Sequence, residues 1–311
     1  MNVVFMGTPD FAVPSLQKLY DEGYNIQAVF SQPDKPKGRG YKLMPPPVKE
    51  LALAHGTPVF QPQSLKKEPE YCDKIKELSP DVIVVVAYGK LLPKSVLDIP
   101  KLGCVNVHGS LLPKYRGAGP IQWAVLNGDK QTGITTMLMA EGLDTGDMLL
   151  QRATDIGENE TSAELFDRLS VMGADLLIET LKGLEKSEIV PKKQDNSLSS
   201  YAPMLTKDLC PIDFNKTTFE IHKLICGLSD WPCAVTMIDG KRLKVYRSEI
   251  VSLNASGKPV GTVIDKNNFT VACSDGVIKL TEIQAEGSKR MSSADYLRGK
   301  PLPDGVVLSS F

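Results

Sequence analysis

The spacing of apolar and polar residues changes period along the chain, and each change marks an element. Residues 2–6 (N-V-V-F-M) form a short apolar run closed by Gly7, which predicts a strand. A turn at Thr8, Pro9 and Asp10 leads into helical spacing to about Tyr20, and residues 26–30 read as a second strand. Residues 81–87 (D-V-I-V-V-V-A) are apolar without alternation, as in a strand buried on both faces of a parallel sheet. Further strands are expected at 104–108, 134–140 and 148–154, with helices at about 46–54, 68–78, 120–126 and 161–184. In the last of these, Thr161 and Glu164 have the spacing of a capping box. Strands alternating with helices predict an α/β fold with a Rossmann-like, mostly parallel sheet. Only one glycine follows the first strand, so the dinucleotide-binding fingerprint is missing.

From about 186 to 204 the periodicity lapses into polar, proline-bounded sequence with the composition of a linker. Beyond it the texture changes. One helix, at about 217–228, precedes five or six short strands with hairpin signals at Asp239-Gly240 and Asp275-Gly276, which predicts a small β-barrel. The expected organisation is a first domain over 1–189, a linker over 190–205 and a smaller second domain over 206–311. A chain of 311 residues is long enough for both to bury a core.

Composition changes this picture little. The chain is 42% hydrophobic and 23% charged, with a net charge of −1, so it carries no global attraction for nucleic acid or membrane. Residues 206–311 hold 14 Lys and Arg against 12 Asp and Glu, which places the small basic excess in the second domain. The six cysteines are scattered with no C-x-x-C pair, so free thiols in a reducing compartment are expected. With no signal-like segment and no apolar run of membrane-spanning length, the cytoplasm is the expected location. The other histidines, His55 and His222, have no ligand spacing, and no metal is expected.

One segment stands out by local charge. Between Asp34 and Lys49 lie five basic residues (Lys35, Lys37, Arg39, Lys42, Lys49), two glycines and four prolines. Regular structure is not expected over most of it. It reads either as a solvated surface loop or as a mobile arm for a polyanion.

The candidate chemistry centres on residues 104–120, C-V-N-V-H-G-S-L-L-P-K-Y-R-G-A-G-P. Strand alternation puts Asn106 and His108 on one face and Val105 and Val107 on the other. Gly109 ends the strand, and a loop shaped by Pro113, Gly117, Gly119 and Pro120 follows. Two further strand ends, at Tyr88-Gly89 and before the polar turn E-G-L-D-T-G-D that contains Asp144, are expected to converge there. Asn, His and Asp together suit acyl transfer to an amine. The amide holds an oxyanion, the imidazole handles a proton, and the carboxylate orients the imidazole. Taken singly, His108 reads better as a satisfied core group and Asp144 as a turn-stabilising residue, and it is the pair Asn106 and His108 on one face before such a loop that points to a site.

The run N-V-H-G-S-L-L-P-K-Y-R-G-A-G-P-I closely resembles the signature of the tetrahydrofolate-dependent formyltransferases. The segments M-G-T-P-D-F, A-Y-G-K-L-L-P and G-L-D-T-G-D resemble the same family in the same order. The basic loop and the second domain resemble its tRNA-acting members. This resemblance implies transfer of a formyl group from 10-formyltetrahydrofolate to the α-amine of methionyl initiator tRNA. It implies Asn106, His108 and Asp144 as the catalytic trio, and Ser110, Leu111, Leu112 and Pro113 as lining for the folate. It also implies Arg39 and Lys42 as tRNA contacts, an OB-like second domain that holds the tRNA, and a monomeric enzyme.

Overall fold

The computed structural model describes residues 1–37, 42–303 and 305–309, and of Lys37 and Lys42 the backbone alone. The chain divides into two compact units. The first takes Met1–Pro120, Thr132–Thr154 and Phe166–Ala202, and the second takes Ile121–Gln131, Asp155–Leu165 and everything from Pro203 on.

In chain order the elements are β1 (Asn2–Gly7), α1 (Val13–Asp21), β2 (Asn25–Phe30), β3 (Lys35–Lys37), β4 (Lys42–Met44), α2 (Pro47–Ala54), β5 (Val59–Phe60), α3 (Pro69–Leu78), β6 (Val82–Val86), α4 (Lys94–Leu97), β7 (Cys104–His108) and β8 (Arg116–Gly117) in the first unit, followed by α5 (Pro120–Leu126), which belongs to the second unit from Ile121 on. Then come β9 (Gln131–Leu138), β10 (Met148–Asp155), α6 (Ser162–Glu185), whose cap and first residues through Leu165 belong to the second unit, and β11 (Tyr201–Ala202). Seven strands form one sheet in the order β10-β9-β7-β6-β1-β2-β5. The run from β5 to β7 is parallel, whereas β9 runs antiparallel to β7. All five β6 residues are buried, as an unalternating apolar strand requires. Each buried valine contributes about 1.5 kcal/mol or more of hydrophobic stabilisation. Thr161 and Glu164 form the expected reciprocal cap: Glu164 Oε2 accepts from the Thr161 backbone at 3.0 Å, and Thr161 Oγ1 accepts from the Glu164 backbone at 3.3 Å.

Two expectations for this unit change. The basic segment contains regular structure, because β3 and β4 pair antiparallel with Lys35 opposite Met44 and Pro36 opposite Leu43. Pro36 sits on an isolated two-stranded ribbon, where a missing ladder donor costs little, and Pro47 opens α2. The stretch with a linker's composition is also tied down. Lys192 exchanges two 2.8 Å backbone hydrogen bonds with Met148, and β11 pairs parallel with β8.

The second unit is built on α7 (Thr218–Leu228), β12 (Ala234–Ile238), β13 (Lys241–Ser252), β14 (Val263–Asp265), β15 (Thr270–Ala272), β16 (Val277–Ala285), β17 (Met291–Ser292) and α8 (Ser293–Gly299). Its antiparallel sheet runs β12-β13-β16-β15-β14, with β17 on β16. The terminal segment joins the two edge strands, since Ser309 bridges Met237 and Val307 bridges Thr262. This removes open edges, as in a barrel. Asp239 and Gly240 both have positive φ (50° and 69°), as a two-residue hairpin turn demands. Asp275 also caps α7, accepting from the Thr218 backbone at 2.7 Å.

Candidate active site

The site lies where β7 ends. Asn106 and His108 share a face of that strand; Asn106 is half-buried and its side chain has no hydrogen bond among the described residues. The His108 side chain is only 6% exposed, and its Nε2 lies 2.9 Å from the Tyr115 carbonyl oxygen. A carbonyl only accepts, so Nε2 carries the proton. Nδ1 faces Asp144 Oδ2 at 3.7 Å, within ion-pair distance but too long for a hydrogen bond. The same Oδ2 accepts from the Gly117 backbone at 2.8 Å.

Asp144 does not stand at a strand end converging with the other two. β9 is antiparallel to β7 and places Leu138 opposite Val105, far back along β7. A loop carries the carboxylate to His108 instead, with Asp144 in the left-handed region at φ 51°. Asp, unlike most residues, tolerates that conformation. Gly146 cannot be larger, because a Cβ there would come within 1.8 Å of the Leu138 carbonyl oxygen.

The loop after β7 is held from within. Ser110 is fully buried and its hydroxyl donates to the Lys114 carbonyl at 2.7 Å. Thr135 Oγ1 donates to the Ser110 carbonyl at 2.7 Å and accepts from the Leu112 backbone at 3.1 Å. Gln151 Nε2 donates to the Leu112 carbonyl at 2.9 Å. The Leu112 side chain is buried against Met137 and Met148, while Leu111 and Pro113 remain half-buried. Ser110 and Leu112 therefore shape the loop, and of the four predicted lining residues only Leu111 and Pro113 keep side-chain surface.

At the end of β6, backbone rather than side chain is presented. Tyr88 is buried in the core with no hydrogen-bond partner for its hydroxyl among the described residues, and burial raises its pKa. Its carbonyl accepts from Thr8 Oγ1 at 3.2 Å and Gln32 Nε2 at 3.0 Å.

Arg39 lies outside the described residues, as does the Lys42 side chain. At the base of that hairpin Lys49 is not free, since it donates to both Asp34 oxygens at 2.8 and 2.9 Å and to Gln61 Oε1 at 2.7 Å. This ammonium holds the Asp34 carboxyl below its usual range. The basic charge available to a ligand is therefore smaller than the count of five implied.

Sequence reading missed a set of polar ties around the site. Tyr115 is held by Ser200, whose Oγ accepts from its backbone at 2.9 Å. Arg116 Nη2 donates to Gln194 Oε1 and Asn196 Oδ1, each at 2.8 Å. No periodicity marks Gln194 or Ser200, because both lie in an extended polar stretch. Among the described residues no group of three His, Cys, Asp or Glu side chains could hold a metal ion, and no helix is long and apolar enough to cross a membrane.

Residues 1–181 match the family "Formyl transferase" and residues 204–301 match "Formyl transferase, C-terminal domain". The chain is 54% identical over 309 residues to the methionyl-tRNA formyltransferase of Trichlorobacter lovleyi, covering 99% of this chain and 96% of the relative. It is 50% identical to that of Caldanaerobacter subterraneus subsp. tengcongensis over 99% of this chain and all of the relative. Among solved structures, the N-formyltransferase of Helicobacter canadensis, in complex with folinic acid and dTDP-3-aminofucose, shares the fold. Its TM-score is 0.69 at 20% identity, over 91% of this chain and 98% of that one. With its strand-end Asn106 and His108, its loop-borne Asp144 and full-length relatives at about half identity, the chain belongs to the methionyl-tRNA formyltransferase family.

Proposed function

We propose that the chain transfers the formyl group of 10-formyltetrahydrofolate to the α-amine of methionyl initiator tRNA, with Asn106, His108 and Asp144 carrying the reaction. The observation that supports this most is the unspent hydrogen-bonding capacity at the end of β7. Asn106 has a free amide, and His108 Nδ1 and Asp144 Oδ2 stand 3.7 Å apart without a direct bond. The amine nitrogen attacks the formyl carbon, and the carbonyl oxygen becomes an oxyanion. Asn106 donates an N–H to it. His108 Nδ1 accepts the proton that leaves the amine, and the Asp144 carboxylate facing it stabilises the imidazolium that forms. The C–N10 bond then breaks, N10 takes up a proton, and formyl-methionyl-tRNA and tetrahydrofolate result. No covalent intermediate with the protein is needed.

Leu111 and Pro113, with the backbone of Ser110 and Leu112, would line the folate. Arg39 and Lys42 would contact the tRNA. Residues 1–189 would form the catalytic domain and residues 206–311 the tRNA platform, in a monomeric cytoplasmic enzyme. The test is incubation with formyl-labelled 10-formyltetrahydrofolate and charged initiator tRNA. Label on the methionine amine is the expected result, and label confined to folate and water rejects the reading. Across a salt series, Arg39→Ala and Lys42→Ala should each flatten the logarithmic salt slope of tRNA binding by about one.

A further inference from the structure

The geometry points to Gln194 as a positioning residue of formyl transfer, fastening the loop that bears Asp144 to the loop that follows His108. This rests on the reading of Asp144 given above. Residues 191–200 are exposed except Gln194, which is half-buried. Both ends of its amide are used. Nε2 donates to the Asp144 and Gly146 carbonyl oxygens, each at 2.8 Å. Oε1 accepts from Arg116 Nε at 3.0 Å and Arg116 Nη2 at 2.8 Å. One residue beyond Arg116, the Gly117 N–H reaches Asp144 Oδ2 at 2.8 Å. The contacts therefore close a circuit: Gln194 to the Asp144 backbone, the Asp144 carboxylate to Gly117, and Arg116 back to Gln194.

The circuit has a reason to exist. Asp144 is held in the left-handed region by a loop that β9 releases at the wrong end of the sheet, so nothing in the sheet ladder fixes its carboxylate. A carboxylate displaced by about an ångström loses most of its value to the reaction, which can cost a hundredfold in rate. Gln194 supplies the fixed point through two donors to the backbone of that loop, and an amide does so without adding charge beside the carboxylate.

The experiment compares Gln194→Met, Gln194→Glu and Asp144→Asn, alone and combined, in the full-length enzyme. The readouts are kcat, KM for both substrates, and far-UV circular dichroism as a check of folding. Gln194→Glu keeps the acceptor for Arg116 and loses the donors to the two carbonyls, so it carries the test even if Gln194→Met does not fold. Both variants are expected to lower kcat by about tenfold to a hundredfold with KM nearly constant. In the Asp144→Asn background the further loss should shrink to about twofold or less, because residues that act as one unit are not additive. Wild-type kcat in Gln194→Glu, or a full additional loss on top of Asp144→Asn, overturns the inference and leaves the formyl-transfer reading intact. A fully active Asp144→Asn overturns both this inference and the assignment of the trio.

Discussion

Two buried histidines, one in each unit, show what separates a reactive side chain from a structural one. His222 on α7 is completely buried, with Nδ1 3.0 Å from Ser248 Oγ and Nε2 3.1 Å from the Glu158 carbonyl oxygen. Lys223 Nζ donates to that same carbonyl at 2.7 Å. Both ring nitrogens are engaged, and burial pushes the His222 pKa down. His108 is almost as buried, yet among the described residues only Nε2 is bonded, and Nδ1 meets a carboxylate across 3.7 Å. Burial is common to both. The difference is unspent capacity, which His108 keeps because its strand ends there and glycine-rich loops take over.

The comparison breaks most visibly through activity. His108→Ala and Asn106→Ala should each lower turnover by about a hundredfold or more, a loss of roughly 3 kcal/mol of transition-state stabilisation. The unfolding midpoint should move little in Asn106→Ala, and in His108→Ala by no more than the loss of one hydrogen bond to Tyr115, about 1 kcal/mol. Single-turnover formylation and thermal unfolding of the same samples check this, and near-normal turnover would make the residue structural.

His222→Ala should do the opposite. It leaves the Glu158 carbonyl without its imidazole donor, opens a cavity on α7, and should cost about 2–3 kcal/mol of stability. The rate per folded molecule should be unchanged. Denaturant unfolding followed by assay below the transition separates the two quantities.

A pH series sharpens the contrast further. The folded-state pKa of His222 lies below its unfolded value near 6.5. Between those values the unfolded chain binds the proton and the folded chain does not, so stability rises with pH. The contribution is complete above about pH 6.5 and is lost as pH falls through the depressed folded value. Glu164, whose pKa is pulled down to about 2 mainly by Arg247, loses its own contribution only below about pH 4.5. His222→Gln should therefore flatten the stability curve just below about pH 6.5. An unchanged slope there would show that His222 titrates alike in both states.

The smallest effect is expected at the surface of the same unit. Arg247 pairs with Glu164 and Glu282, but its side chain is 39% exposed, so water and salt screen the interaction. Arg247→Met should cost under about 1 kcal/mol at low salt and almost nothing in concentrated salt. A loss matching that of His222→Ala would mean that charge, rather than buried polar satisfaction, holds this part of the unit.

Much of the molecule was legible before any coordinates. The unalternating valines of β6, the Asn-x-His alternation of β7, the Thr161–Glu164 cap and the Asp239-Gly240 turn are local. Their spacing is set by strand and helix geometry, and the sequence carries that spacing directly. The polar strand face and the polar glycine turn named Asn106, His108 and Asp144. What the sequence alone could not settle is long-range. β9 runs against β7, so a loop rather than a strand end delivers Asp144. Lys49 is spent on Asp34 and Gln61, and Ser110 is spent on its own loop. A stretch with the composition of a linker holds Tyr115, Arg116 and the Asp144 turn through Ser200 and Gln194. Each of these pairs residues far apart in the chain, and a polar side chain carries no sign of which distant carbonyl or carboxylate will use it. Periodicity determined which faces are buried; the tertiary fold decided which polar groups remain free to react.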